Sequence, residues 1–313
     1  MKLFNNIDEI HISEGTCVAL GNFDGVHLGH RRIIRDTVRK AEEKGLKSAV
    51  FTFSSHPRSI IEGVKPVKSI TTQAEKAALL EELGVDYIVN VPFTREILTT
   101  DAKTFIDYYL VEKLKMKEVF CGFNYRYGYR ALGDTKLLRI EGSRRGFKVN
   151  VVQPVTVDGD IVSSTLIRGL IKSGEMEEAK KFLGRTYCIG GEVVVGNQIG
   201  RTIGFPTLNL TIDEDMVTPP NGVYITNCIF FRENHPSITN IGVRPTIGSF
   251  KKNVETHIFD FNQDLYGEKI KVEFLKKVRD EVKFSNLNQL SDQISADCKE
   301  ARSYHGLQKL MEE

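Results

Sequence analysis

Apolar residues follow two rhythms along this chain, and the change of rhythm divides it. In the first part, short continuous apolar runs alternate with longer amphipathic stretches. Residues 16–20, 49–53, 87–91 and 118–121 each read as a buried strand. A helical pattern begins at 31–35 and another spans 73–83, closed by Gly84. The spacers are long enough for crossover helices, so a parallel sheet is expected. Residues 174–184 form a charged helix between two glycines, and a boundary falls near 184–186. Beyond it the pattern is rich in strands. Residues 269–274 alternate polar and apolar, and 190–195, 222–231 and 254–259 are further strands. Antiparallel strands of this length can close into a small barrel. The stripe Leu287, Leu290, Ile294 and Ala301 then marks a last helix, expected on the outside of the barrel.

Composition narrows the class without naming it. The chain has 313 residues, 41% hydrophobic and 27% charged, so two soluble domains are expected. A net charge of +2 gives no electrostatic reason for a nucleic-acid partner. No apolar run reaches membrane-spanning length, and the first residues lack a secretory apolar core. The five cysteines are scattered with no C-x-x-C pair, which fits buried thiols in a reducing cytoplasm. Trp is absent, leaving Tyr and Phe to stack on an aromatic ligand.

The candidate chemistry starts at Gly21-Asn22-Phe23-Asp24-Gly25-Val26-His27-Leu28-Gly29-His30, between a strand and a helix. Strand, glycine turn and helix start make an anion site, and Gly29 lets a ligand approach the backbone. His27 and His30, on one face of a first helical turn, can donate to phosphate oxygens as charge builds. The same pair is compatible with surface residues or half a zinc site, which Asp24 and His56 would have to complete. The glycine spacing is not that of a dinucleotide fingerprint, and no Walker A segment exists. The rule that ligands bind beyond the carboxyl ends of parallel strands gathers Asp24, His27, His30, His56, Arg58 and Asn124 around one crevice. The loop Gly122-Phe123-Asn124-Tyr125-Arg126-Tyr127-Gly128 offers faces for stacking and an amide for edge hydrogen bonds; a packed loop with a solvated arginine reads equally well. Ser164 or Thr165 can cap a helix beginning near Leu166, with Arg168 as a fork of donors, although an ordinary surface helix looks the same. In the second half, Gly200 and Gly204 allow close backbone approach. Thr207 and Asn209 present hard oxygens on one side of an extended segment, suited to magnesium held with phosphates. Glu255 can accept a hydroxyl proton, with positioning supplying much of the effect. A turn plus an exposed strand carboxylate is the plain alternative there.

Together these segments resemble the bacterial bifunctional riboflavin kinase/FMN adenylyltransferases, also called FAD synthetases, over almost the whole chain. Residues 21–30 resemble their nucleotidyltransferase signature, and 163–168 the second phosphate motif. Residues 200–209 resemble the glycine-rich Pro-Thr-x-Asn segment of flavokinases. Asn240-Ile241-Gly242-Val243-Arg244-Pro245-Thr246 and Val254-Glu255-Thr256-His257 match later signatures.

The resemblance implies an α/β nucleotidyltransferase-like parallel-sheet domain over residues 1–184. A small antiparallel β-barrel flavokinase domain with a C-terminal helix would follow over 185–313. It implies phosphorylation of the riboflavin ribityl 5′-hydroxyl by ATP, then adenylyl transfer to FMN with release of pyrophosphate. By this analogy His27, His30 and Arg168 hold ATP phosphates, with Asn22, Asp24, Gly29, Ser164, Thr165, Gly200 and Gly204 beside nucleotide. Asn124, Tyr125, Arg126 and Tyr127 place the flavin. Mg2+ is implied at both sites and zinc at neither; the partners are small flavins and nucleotides. The chain departs from the family at Asn124, often acidic, at Tyr127, often Phe, and at Leu208, commonly Ala. A monofunctional adenylyltransferase and a non-enzymatic flavin- or RNA-binding module are the readings of other classes.

Overall fold

The computed structural model describes residues 1–54, 66–196, 199–246 and 249–307, without the side chains of 199, 244–246 and 249–251. His56 and Arg58 therefore lie outside the described residues. The chain divides into two compact units, Met1–Ser164 and Thr165–Glu313.

The first unit is built on a parallel sheet. Its strands are β1 (Lys2–Phe4), β2 (Thr16–Leu20), β3 (Lys47–Phe53), β4 (Tyr87–Val91), β5 (Met116–Gly122) and, after two short pieces, β8 (Lys148–Val152). Their spatial order is β1-β4-β3-β2-β5-β8, every pairing parallel. The chain steps from β2 outward to β3 and β4, then returns to lay β5 on the other side of β2. That reversal between β2 and β5 is the topological switch point, where such sheets bind ligands. The short pieces are β6 (Arg126–Tyr127) and β7 (Gly133–Asp134), paired antiparallel, and β9 (Thr156–Val157) with β10 (Asp160–Ile161) forms a second small ribbon.

Alternate residues of the sheet enter two separate cores, which is why the strands read as unbroken apolar runs. Val18, Leu20, Phe51 and Val89 pack on one face with Phe105, Ile106 and Tyr109 of a π-helical segment, Phe105–Lys113. Cys17, Ala19, Val50 and Ile88 pack on the other. There they meet Ile33, Ile34 and Ala41 of α1 (Leu28–Lys44) and Leu80 of α2 (Gln73–Glu82). α1 stops at Gly45, whose φ of 63° lets its N–H reach back to Ala41 and Glu42 carbonyls. α2 opens with a capping box, Thr72 with Glu75. The short helices α3 (Arg95–Thr99) and α4 (Ala102–Thr104) lead into the π segment, and α5 (Thr135–Arg145) precedes β8.

α6 (Ser164–Ser173) and α7 (Met176–Leu183) lead into a closed barrel. The barrel strands are β11 (Tyr187–Val194), β12 (Leu208–Thr211), β13 (Gly222–Phe230), β14 (Glu233–Thr246), β15 (Ser249–Ile258) and β16 (Lys269–Asp280). Their order around the barrel is β11-β12-β15-β14-β13-β16, all antiparallel. A one-turn helix, α8 (Ile199–Thr202), interrupts the connection from β11 to β12. Along β13, Val223 and Ile225 pack with Cys298 and Ala301 of α9 (Leu287–Tyr304), outside the barrel. The alternate residues Tyr224 and Thr226 point to the opposite face. Four fully buried hydroxyls, Thr226, Ser237, Thr239 and Thr256, join across β13, β14 and β15 at 2.8–2.9 Å. Each finds its partner among the others, so the buried polar row is satisfied.

The expected architecture is present in both halves, with differences of detail. β1, β8, β12 and β14 are not among the expected strands. α9 lies on the barrel as expected, but Leu287 is 57% exposed and does not belong to its buried stripe. Asp297 does: its carboxylate lies 2.7–3.0 Å from the Arg279 guanidinium of β16. All five cysteines are free. Burial pushes the Cys17 and Cys298 thiols up to about 11 and those of Cys121 and Cys228 up to about 12, so these four are inert packing groups.

Asp297 is buried and its charge is balanced by Arg279, so breaking the pair by Arg279→Ala should cost about 3 kcal/mol. Replacing both by apolar residues, Arg279→Met with Asp297→Leu, should recover most of that loss. Denaturant melts of the three chains decide; an Arg279→Ala variant as stable as the parent would contradict the role given to this pair.

Candidate active sites

The first candidate site sits on the turn between β2 and α1. Phe23 and Val26 have φ of 49° and 39°, in the left-handed region that costs a non-glycine residue about 1–3 kcal/mol. The surroundings hold them there. The Phe23 ring is buried against Gly21, where a Cβ would come within 3.0 Å of it. Asp24 Oδ1 accepts from the backbone N–H of Ile70 at 2.9 Å and of Thr71 at 3.3 Å. The Gly25 N–H donates to the Thr71 hydroxyl at 3.2 Å. On the β2 side, the Thr52 hydroxyl donates to the Asn22 carbonyl at 2.9 Å. Asp24, expected beside the nucleotide, thus commits a carboxylate oxygen to bracing the turn from inside.

His27 is the N-cap of α1 rather than a member of its first turn. Its φ and ψ are −71° and 175°, and its Nδ1 accepts from the His30 N–H at 3.3 Å. An accepting Nδ1 carries no proton, so the ring proton is assigned to Nε2, the nitrogen that can donate to an anion. The His27 and His30 rings stack at 3.5 Å between centroids, and Phe23 meets His30 edge-on at 5.2 Å. A Cβ at Gly29 would lie 3.2 Å from the His27 ring, so glycine there keeps the stack in place. Two imidazoles are therefore held side by side at the amino end of a helix, whose dipole favours negative charge.

β5, across the switch point, ends at Gly122 and delivers the aromatic loop beside this turn. Asn124 and Phe123 are exposed there. Tyr125 stacks on Tyr127 at 5.7 Å, and Arg126 lies 3.5 Å from Asp134. Tyr127 belongs to the core: its ring covers Gly133 and its buried hydroxyl has no hydrogen-bond partner among the described residues. Burial raises the pKa of both tyrosines. Ser164 also differs from expectation. α6 starts at Ser164 itself, so this residue does not cap a helix beginning near Leu166; its hydroxyl donates to the Asp24 carbonyl at 2.9 Å. Thr165 and Arg168 lie on α6 in the second unit, Thr165 exposed and Arg168 half-buried.

The second candidate site lies on the barrel, around β12 and β15. Asn209 and Glu255 are register partners, and Asn240 of β14 is the next partner in the same row. Asn253 bridges them: its Nδ2 lies 2.6 Å from Glu255 Oε1 and 3.2 Å from Asn209 Oδ1. Thr207 immediately precedes β12, two positions from Asn209. The segment entering it is a tight turn in which the Phe205 N–H reaches the Gly200 carbonyl at 2.8 Å. A Cβ at Gly200 would sit 2.3 Å from the Phe205 carbonyl oxygen, and Gly204 has φ of 85°. Both positions need glycine, one for space and one for conformation. His257 Nδ1 donates to the Pro206 carbonyl at 2.8 Å, pinning the residue before Thr207. Burial holds the His257 pKa below the usual imidazole range, so the ring stays neutral near pH 7.

Sequence reasoning missed the bracing groups Thr52, Ile70, Thr71 and Asn253. Only Asn253 left a signal, two residues before Glu255 on the same strand face. Among the described residues no group of three or more His, Cys, Asp or Glu converges as a metal cage, and no helix is long and apolar enough to cross a membrane.

Comparison with known proteins finds two family domains in sequence. Residues 9–166 match the family described as FAD synthetase and residues 183–305 that described as riboflavin kinase. The bifunctional riboflavin kinase/FMN adenylyltransferase of Escherichia coli (strain K12) is 35% identical over 312 residues, 99% of each chain. That of Bacillus subtilis (strain 168) is 36% identical over 291 residues, 92% of each chain. The solved structure of a protein described as a macrolide-efflux protein from Streptococcus pneumoniae has a TM-score of 0.89 at 32% identity, covering 96% of this chain and 98% of that one. With both domain signatures in order and full-length relatives of one kind, the chain belongs to the family of bifunctional riboflavin kinase/FMN adenylyltransferases.

Proposed function

We propose that the chain makes FMN from riboflavin and ATP on the barrel, and FAD from FMN and a second ATP at the histidine turn. The observation that carries the reading is the pairing of two separately braced sites in one chain: stacked His27 and His30 at a helix start, and the Asn209–Asn253–Glu255 row on the barrel. Each reaction is assigned to one half, residues 1–184 and 185–313.

On the barrel, Glu255 accepts the proton of the ribityl 5′-hydroxyl as its oxygen attacks the terminal phosphorus of ATP, and ADP leaves. Asn253 fixes the carboxylate so that its position compensates for weak basicity. The Gly200–Gly204 turn lets nucleotide phosphates approach the backbone. Thr207 and Asn209 offer neutral oxygens, a set that suits Mg2+ held mainly by substrate phosphates. When bound, the ion supplies positive charge against the phosphate oxygens.

At the histidine turn, a phosphate oxygen of FMN attacks the α-phosphorus of ATP and pyrophosphate leaves. The nucleophile is already an anion, so the site needs orientation and charge stabilisation rather than a strong base. His27 through Nε2, His30 and the first amides of α1 face the developing charge, with Gly29 and Asn22 giving backbone access. The family resemblance assigns Thr165 and Arg168 of α6 to ATP phosphate as well. Asn124 and the exposed aromatic side of its loop would receive the flavin, with Tyr125, Arg126 and Tyr127 shaping that loop. Reactions on ATP and free flavin, in a chain with five free thiols, fit the cytoplasm and require neither zinc nor a nucleic-acid partner.

Two full-length variants separate the assignments. His30→Ala should lower FMN adenylylation by about 10²–10³-fold, while riboflavin phosphorylation stays near the parent rate. Glu255→Gln should do the reverse, lowering single-turnover FMN formation at saturating ATP and magnesium by roughly 10²-fold or more. Product chromatography with riboflavin or FMN supplied reads both. Undiminished adenylylation in the first variant removes His30 from the site; undiminished phosphorylation in the second removes Glu255 as the base.

A further inference from the structure

A buried lysine that neither reaction uses directly lies beneath the histidine turn. Lys76, in the first turns of α2, is 4% exposed. Its Nζ donates to the Phe53 carbonyl at 2.8 Å and to the Thr52 hydroxyl at 3.3 Å. Among the described residues no carboxylate lies within ion-pair distance of it. Burying an ammonium on neutral acceptors is costly, and an apolar side chain would fill the space more cheaply.

The geometry shows what the charge does. The Thr52 hydroxyl has one proton and two lone pairs. A protonated lysine only donates, so it occupies a lone pair and leaves the Thr52 proton for the Asn22 carbonyl, 2.9 Å away. The same stretch of chain holds the other end of the turn, because Ile70 and Thr71, just before α2, bind Asp24 and Gly25. The root of one helix therefore fixes both ends of the strained segment that carries Phe23 and Val26 into the His27 cap.

We propose that Lys76 is a positioning residue for adenylyl transfer: its ammonium sets the direction of the Thr52 hydroxyl, which holds Asn22 and with it the histidine turn. This rests on the assignment of adenylyl transfer to that turn. Burial lowers the Lys76 pKa to about 8, partly opposed by Asp24, the charged group that faces it from the turn; β3 presents only the neutral Thr52 and Phe53 acceptors. Above that pH the amine gains a lone pair, the Thr52 hydroxyl can donate to it instead, and the Asn22 carbonyl loses its donor. The rate of FAD formation should therefore fall as pH rises through about 8.

The test compares the full-length parent with Lys76→Met, Lys76→Arg and Thr52→Val, measuring kcat and KM for FAD formation from FMN across pH. Riboflavin phosphorylation serves as the internal control and thermal unfolding as the stability control. Lys76→Met should lose roughly ten-fold or more in kcat with little change in KM, lose the alkaline limb, and unfold no earlier than the parent. Thr52→Val should show the same loss of kcat. Lys76→Arg, charged at every pH, should retain more activity than Lys76→Met and also lack the limb. An unchanged kcat in Lys76→Met, a loss that tracks a lower unfolding temperature, or an alkaline limb that survives in that variant would overturn the proposal. If His30→Ala leaves adenylylation intact in the same assay, it is instead the assignment of the turn that fails.

Discussion

The hydrogen bonds from the backbone of Ile70 and Thr71 to the Asp24 carboxylate are the constraint on which the first site depends. A turn with non-glycine residues at φ of 49° and 39° has no local reason to persist. It persists because its carboxylate is taken up by amides from a segment 46 residues away and its Phe23 ring is locked into the core. From that follow the extended conformation of His27, its capping of α1, and the stacking of His30 upon it. One oxygen of the Asp24 carboxylate is bound to two amides, and that bond shapes the turn from within the protein.

The barrel site solves a similar problem with less strain. Antiparallel register alone places Asn209, Glu255 and Asn240 in one row across three strands. Asn253, in the adjacent row, aligns two of them at once through one amide nitrogen. Precision comes from the sheet ladder, and the turn before β12 has only to deliver Thr207, which Gly200, Gly204 and the His257–Pro206 bond arrange. Strain at one site and register at the other reach the same end, donors and acceptors held in fixed positions.

What was legible in the sequence was what local pattern encodes. Buried parallel strands read as apolar runs, and a crevice beyond their carboxyl ends followed once the crossovers were recognised. The polar signatures at 21–30 and 200–209 lie on the elements expected for them. What stayed hidden depends on distant partners. Asp24 reads as a ligand group because the donors that hold its carboxylate, the Ile70 and Thr71 amides, carry no side-chain signal. Tyr127 read as a loop aromatic, yet its ring is needed to cover Gly133. Ser164 read as a cap, but the helix begins with it. β14, with Asn234, His235 and Pro236 near its start, lacks clean alternation, because barrel strands at a hairpin mix solvent, core and helix contacts along their length. Leu287 looked apolar enough for the stripe of α9, while the face that meets the barrel uses Asp297 and an ion pair instead.

The central claim is that one chain carries riboflavin through to FAD by two chemically distinct ATP reactions. The most direct measurement is the stoichiometry of a single incubation of the intact protein with riboflavin, ATP and Mg2+, following flavins, ADP and pyrophosphate together. The account predicts that FMN forms first and FAD after it, with one ADP for each riboflavin phosphorylated and one pyrophosphate for each FAD formed. Conversion of riboflavin with no ADP, or FAD formation with no pyrophosphate, would contradict it, as would a protein that leaves either riboflavin or supplied FMN unchanged.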